Sequence, residues 1–378
     1  MTRSQTRAQS RRTFLGGAGA GAASLWLAAC GSGSDEPAAQ STAAEPAAKS
    51  VNAVDDGKLL VFNWQDYINP ELVKQFEKEH GVEVVYDFFD GMEAMIAKIT
   101  TGGQKYDVVF PVYDSADRLV KQGLLEPLTF DNIPNRKYIP AEFQDPSYDP
   151  GSVHTVPYAI WTSGILFRRD RVGDDLTSWN DLFDERFRGK LGMLDNWQES
   201  LGVVHFLNDW DAGATDEAHI KAARDKLIAQ KPLVRDYSVD DIGNMTSGDF
   251  WVHHGWSGDG YQIKNKVKDP ENIGYVVPKE GSFAGTDTMA IVKGAPHKKT
   301  AEEFINFMYD PANSKANIEY IGYPMINTET QDVFPTLEGA EASMAVTTAD
   351  LARLTVPPTL PREERRVWLK AWAEVKNS

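Results

Sequence analysis

The sequence predicts an α/β protein whose folded body holds about two domains, and three observations carry that prediction. From residue 58 onward, short apolar runs alternate with helix-length segments, the order that builds a parallel sheet with crossover helices. The helical segments carry start and stop signals at the expected offsets. Once a non-globular N-terminus is set aside, about 320 residues remain, more than one core usually organises. Composition agrees: 42% hydrophobic, 25% charged and 11% aromatic residues exclude a disordered chain and a multi-span membrane protein.

Taken in order, residues 59–62 form a short apolar run expected of a buried strand. Asn69, Pro70 and Glu71 then give an N-cap, a first-turn proline and a first-turn acid. That helix carries Leu72, Val73 and Phe76 on one face and stops near Gly81. A strand over 82–88, a helix over 91–99 and a strand over 106–111 complete a βαβαβ unit. Further strands are expected over 165–168, 190–194, 250–253, 273–277 and 288–292, with helices over 201–208, 218–230 and 299–309. A closing amphipathic helix over 363–375 sets Val367, Leu369, Trp372 and Val375 among basic residues.

The N-terminus reads as an address. Arg3, Arg7, Arg11 and Arg12 precede a Gly/Ala-rich apolar stretch over 14–29, with no acid before Asp35, the pattern of a secretory signal. Ser10-Arg11-Arg12-Thr13-Phe14-Leu15 resembles the twin-arginine export signal, and Leu27-Ala28-Ala29-Cys30 the bacterial lipobox, in which the cysteine is lipidated. The general secretory route remains an alternative, and either route leads out of the cytoplasm. Residues 30–57 then contain the lipidated Cys30 and a flexible Ser/Ala/Gly/Pro-rich tether.

With 39 Lys+Arg against 55 Asp+Glu, the formal charge of −16 argues against nucleic-acid binding and suits a cationic ligand. One cysteine excludes an internal disulfide framework and a cysteine-cluster metal site.

In open α/β sheets, ligands sit beyond the carboxyl ends of strands. There the chain places Trp64, Asp66 and Tyr67 after the first strand, and Asp195, Asn196, Trp197 and Glu199 after the strand over 190–194. Trp256, Asp259 and Tyr261 follow the strand over 250–253, Asp287 lies just before the strand over 288–292, and Tyr323 follows a glycine turn. Carboxylates pair with ammonium groups, while aromatic faces attract the cation at roughly 0.5–2 kcal/mol per contact and cover the methylenes between charges. The pattern therefore matches an elongated organic cation held in a closed cleft.

The chain resembles the bacterial spermidine/putrescine-binding proteins of ABC-type uptake systems from about residue 58 to 323. The likeness rests on Phe62-Asn63-Trp64-Gln65-Asp66-Tyr67-Ile68, Tyr106-Asp107-Val108-Val109-Phe110-Pro111, Val156-Pro157-Tyr158, Ser178-Trp179-Asn180-Asp181-Leu182, Trp256-Ser257-Gly258-Asp259 and Ile321-Gly322-Tyr323-Pro324. It implies a two-lobed, type II periplasmic-binding-protein-like fold closing on its ligand by a hinge. The lobes would be 58–161 with 287–330, and 162–286 with 331–378. By the same resemblance Trp64, Asp66, Tyr67 and Tyr323 line the cleft from the first lobe and Glu199, Trp256 and Asp259 from the second, with Asp287 near the crossover. Asp287 and Asp259 would be the principal ammonium partners, and Trp256 and Tyr67 would sandwich the alkyl chain. Four departures bear on the ligand: Val112 replaces a small hydroxyl residue, Gly285 an aromatic, Asn196 a carboxylate, and residues 355–360 hold no clear counterpart of a C-terminal polar group.

Single residues have plainer readings. Asn196-Trp197-Gln198-Glu199 fits a capping box, Asp259 sits in a glycine-flanked turn, and Asp114 reads as a helix starter. His253 and His254 would point to opposite faces of a strand, which disfavours a shared metal. Gly255-Trp256-Ser257-Gly258-Asp259 lacks the last glycine of a serine nucleophile elbow. The expectation is a non-enzymatic, monomeric lipoprotein without metal or cofactor that captures a polyamine and hands it to an ABC permease. The alternatives are another organic cation, an opine-like solute, or an exported hydrolase.

Overall fold

The first strand, β1 (Lys58–Asn63), packs Leu59 and Val61 into the core and pairs in parallel with β2 (Glu83–Phe88) across helix α1 (Pro70–His80). In this computed structural model the described residues are 57–101, 106–214 and 216–378. They belong to one compact unit, and the expected signal, Cys30 and the tether up to residue 56 lie outside the described residues. The caps of α1 follow from sequence: the Asn69 side chain accepts from the Glu71 N–H, and Gly81, at φ 67°, sends its N–H to the Glu77 carbonyl.

Helix α2 (Met92–Thr101) leads to β3 (Val108–Val109), parallel to β1 and much shorter than the run over 106–111 suggests. At its start the Asp107 side chain, rather than a ladder carbonyl, accepts the Leu60 N–H at 2.8 Å. Helix α3 (Tyr113–Lys121) follows, and then β4 (Thr155–Arg168), fourteen residues buried throughout. Only residues 165–168 of β4 were expected, since Pro157, Gly164 and its Thr and Ser residues interrupt the apolar run.

The second half contains α4 (Arg169–Val172), β5 (Leu191–Met193), α5 (Trp197–Leu207), α6 (Glu217–Gln230), β6 (Val234–Tyr237) and α7 (Asp241–Thr246). It continues with β7 (Val252–Trp256), α8 (Ser257–Lys266), β8 (Ile273–Val276) and β9 (Ala284–Ile291). Helices α9 (Lys298–Met308), α10 (Pro311–Ile321), α11 (Thr348–Arg353) and α12 (Arg362–Asn377) complete the chain. Helix α5 begins earlier than expected because Asn196 caps it. The buried face of α12 is Trp368, Ala371, Trp372 and Val375, so Trp368 takes the place expected of Leu369.

The strand order is β2-β1-β3-β9-β4-β7-β5-β6, with β8 also on β4. Strand β4 joins the two halves: residues 155–162 pair with β9, and Ser163 onward pairs with β7 and β8. The result is two α/β lobes linked through β4 and β9. Three shifts alter the setting of candidate residues. Strand β7 runs on to Trp256, Asp259 lies in the first turn of α8 instead of a loop, and Asp287 lies inside β9 instead of before it.

Candidate functional site

The carboxyl ends of β1, β3, β5, β6 and β7 open onto one cleft of about 760 Å³. All eight candidate residues lie on its wall: Trp64, Asp66, Tyr67, Glu199, Trp256, Asp259, Asp287 and Tyr323. Tyr113, Asp114, Trp161 and Asp241 join them without having been singled out as ligand contacts.

Asp287 is held from both sides. The Tyr67 hydroxyl donates to Oδ2 at 2.5 Å and the Trp161 indole N–H to Oδ1 at 3.2 Å, while Val112 bridges its backbone. Burial pushes its carboxyl up to about 7, against the lowering effect of those two donors. Tyr67 is itself fixed: its carbonyl accepts from the Tyr158 hydroxyl, and its ring meets those of Tyr158 and Tyr323 edge-on at 5.4 and 5.2 Å. Tyr67 thus buttresses Asp287.

Asp259 accepts from the Tyr323 hydroxyl at 2.7 Å and lies at the positive end of α8. Two glycines make this contact. Gly322 ends α10 at φ 73°, and a Cβ on Gly258 would stand 2.2 Å from the Tyr323 ring. Behind Asp259 lies Asp241, whose carboxyl is held well above the usual carboxylate range by burial and by the Asp259 charge. The two carboxyls therefore titrate as a pair, and Asp241 Oδ2 also accepts from the Trp256 N–H at 3.3 Å.

Glu199 is 5% exposed. Its Oε1 is 3.4 Å from the Trp256 indole nitrogen, and its Oε2 is 3.7 Å from His254 Nε2 but accepts no hydrogen bond among the described residues. The capping box is incomplete: Asn196 Oδ1 takes the N–H groups of Gln198 and Glu199, while the Glu199 side chain points into the cleft instead of back to the cap. Asp114 occupies the first turn of α3 as expected, yet also faces the cleft, where burial raises its carboxyl to about 6.

The cations at the cleft each have an acid. Lys266 meets Asp66 at 3.2 Å, Arg118 grips Glu93 at 2.8 and 3.1 Å, and Lys376 meets Asp195 at 2.8 Å. Asp66, in the left-handed region at φ 52°, is thereby a rim residue tied to α8. Among the described residues, no Lys or Arg lies within ion-pair distance of Asp114, Glu199, Asp241, Asp259 or Asp287. The arrangement suits a bound organic cation, because it leaves buried acids without an ion-paired Lys or Arg between aromatic walls.

The departures noted in sequence have structural counterparts. Trp161 stands opposite Gly285 in the β4–β9 ladder and fills its space. Asn196 serves as a helix cap, and Pro357, whose carbonyl accepts from the Tyr113 hydroxyl, lines the cleft. The histidines have structural partners: His253 Nε2 lies 3.1 Å from the Asn244 amide and His254 Nε2 2.9 Å from Ser163 Oγ. Ser257 Oγ accepts from the Thr162 N–H. Among the described residues no group of three or more His, Cys, Asp or Glu has metal-binding geometry.

Comparison with known proteins matches residues 71–346 to the family of bacterial extracellular solute-binding proteins. The chain is 31% identical to the putrescine/cadaverine-binding protein of Pseudomonas aeruginosa, over 90% of this chain and 96% of that protein. It superposes on the spermidine/putrescine ABC transporter substrate-binding protein PotD of Streptococcus pneumoniae with a TM-score of 0.70 at 29% identity, covering 85% of this chain and 98% of that one. The Tp0655 (TpPotD) lipoprotein of Treponema pallidum gives a TM-score of 0.74 at 25% identity, with 84% and 99% covered. The two α/β lobes thus form the two-lobed, type II solute-binding fold expected from sequence.

Proposed function

The chain belongs to the bacterial extracellular solute-binding proteins, and from that premise we propose that it captures a polyamine outside the cytoplasm and delivers it to an ABC permease. The observation that carries this reading is the set of buried acids at the cleft without cationic partners, flanked by Trp64, Trp161 and Trp256. Relatives named for putrescine, cadaverine and spermidine support the same class.

In this mechanism Asp287 and Asp259, each oriented by a tyrosine, take the ammonium ends of the ligand, with Glu199 and Asp114 adding charge. The Trp256 face covers the methylenes. The lobes, 58–161 with 287–330 and 162–286 with 331–378, close about the β4–β9 linkage, and the Asp66–Lys266 pair fastens the rim. No bond is made or broken. Lipidation of Cys30 after export holds the protein at the membrane beside its permease, a reading supported by the relative described as a lipoprotein.

The test is a tryptophan-fluorescence titration with putrescine, cadaverine, spermidine, arginine and an opine, since Trp64, Trp161, Trp197 and Trp256 line the cleft. Saturable binding confined to polyamines supports the proposal. Binding confined to arginine or the opine overturns the polyamine class and leaves the solute-binding fold intact.

A further inference from the structure

Strand β4 places Trp161 directly across from Gly285 of β9. The glycine is not needed for backbone reasons, because its φ lies outside the left-handed region. Space is the reason: a Cβ there would stand 2.7 Å from Trp161 Cζ2 and 3.2 Å from Tyr113 Cε1. The indole is 7% exposed, and its N–H is committed to Asp287 Oδ1. Tyr113 is equally fixed by its hydroxyl bond to the Pro357 carbonyl. Neither ring is free to swing aside.

A second cavity of about 470 Å³ adjoins this place. Its lining includes Gly285, Tyr148, Asp117 and Tyr113, whereas Trp161 and Tyr113 line the main cleft. Tyr113 is common to both cavities, and Gly285 and Trp161 face each other from opposite ones. The two rings therefore separate the Asp287 end of the cleft from a further chamber that already contains a tyrosine and an acid.

We propose that Trp161, backed by Tyr113, is the end wall of the cleft and sets the length of cation it accepts. The inference rests on the polyamine reading of the same cleft. A ligand whose terminal ammonium reaches Asp287 meets the indole and can extend no further, so short diamines fit and longer chains must crowd the other end. Removing the indole joins the two cavities and gives an added aminopropyl arm a place to go, while the short diamine loses its wall.

The experiment titrates the full chain and three variants with putrescine and spermidine by calorimetry at pH 8. Trp161→Ala should weaken putrescine at least tenfold and raise the spermidine-to-putrescine affinity ratio at least tenfold. The double exchange Trp161→Gly/Gly285→Trp, which moves the ring across the ladder, should return the ratio to within about threefold of wild type. Trp161→Leu keeps a bulky apolar side chain in the buried strand but opens most of the space of the indole; it should raise the ratio at least threefold, so it remains decisive if the alanine variant does not fold. Binding by wild type with an unmoved ratio in Trp161→Ala, or in Trp161→Leu where the alanine variant does not fold, overturns the end-wall role alone. Absence of binding by wild type overturns the polyamine reading and this inference together.

Discussion

Replacing Asp287 by Asn should move stability and affinity in opposite directions. The Asp287 carboxyl is buried and raised to about 7, while both oxygens already accept protein donors. An acid whose folded pKa exceeds its unfolded value binds its proton more tightly when folded. It therefore loses stabilising effect as pH rises from about 4 to about 7. Three units correspond to about 4 kcal/mol of destabilisation at pH 8. Asn removes that penalty in nearly the same shape: one oxygen keeps a donor, and the Tyr67 hydroxyl can rotate to accept from the amide. The ligand-free variant should therefore unfold at the same or a higher denaturant concentration than wild type at pH 8, with the difference gone at pH 4. Putrescine binding should weaken by about 2–5 kcal/mol, because an ammonium is left buried without its counter-charge. Urea unfolding with and without putrescine reads both effects. A ligand-free variant clearly less stable at pH 8 would show that the Asp287 charge is not a burden to the fold, and one binding putrescine as tightly as wild type would show that it is not an ammonium partner.

Three further outcomes follow from the same contacts. Diamine affinity should fall as pH drops from 8 to 5.5, by roughly 30-fold from Asp287 alone, since a group with a pKa near 7 is then about 3% ionised. Calorimetry in buffers of different ionisation heat should show proton release on binding near pH 6.5, and a pH-independent affinity would contradict this. Gly258→Ala should drive the Tyr323 ring off Asp259 and lower putrescine affinity at least tenfold in a folded protein, because the added Cβ would lie 2.2 Å from that ring; unaltered binding would remove Tyr323 from the account. Asn196→Ala removes the side-chain cap of α5 and should destabilise the protein by about 1 kcal/mol, measured by thermal unfolding.

The cleft was legible because strand ends announce themselves. Trp64, Asp66 and Tyr67 follow the apolar run of β1, and Trp256 and Asp259 mark the junction of β7 and α8, so the strand-end rule alone selects them. Trp161 was not legible. It lies inside a strand buried on both faces, where an aromatic reads as core, and its meaning comes from a partner at position 285 that only the ladder register identifies. Asp241 and Asp114 were hidden for another reason, since an acid in the first turn of a helix is sufficiently explained by the helix. Asp66 lines the cleft, but the partner that occupies its carboxylate, Lys266, comes from the other end of α8, two hundred residues away. The linkage of the lobes was obscured by Pro157 and Gly164, which break the apolar pattern of β4.

Calorimetric titration of ligand-free, folded protein with putrescine at pH 8 asks whether this cleft closes on one organic dication. Saturable one-to-one binding is expected, and it should also stabilise the fold by roughly 2.7 kcal/mol at a hundredfold excess over Kd. Absence of binding heat in protein shown to be folded and ligand-free, with no shift in its unfolding, would contradict it.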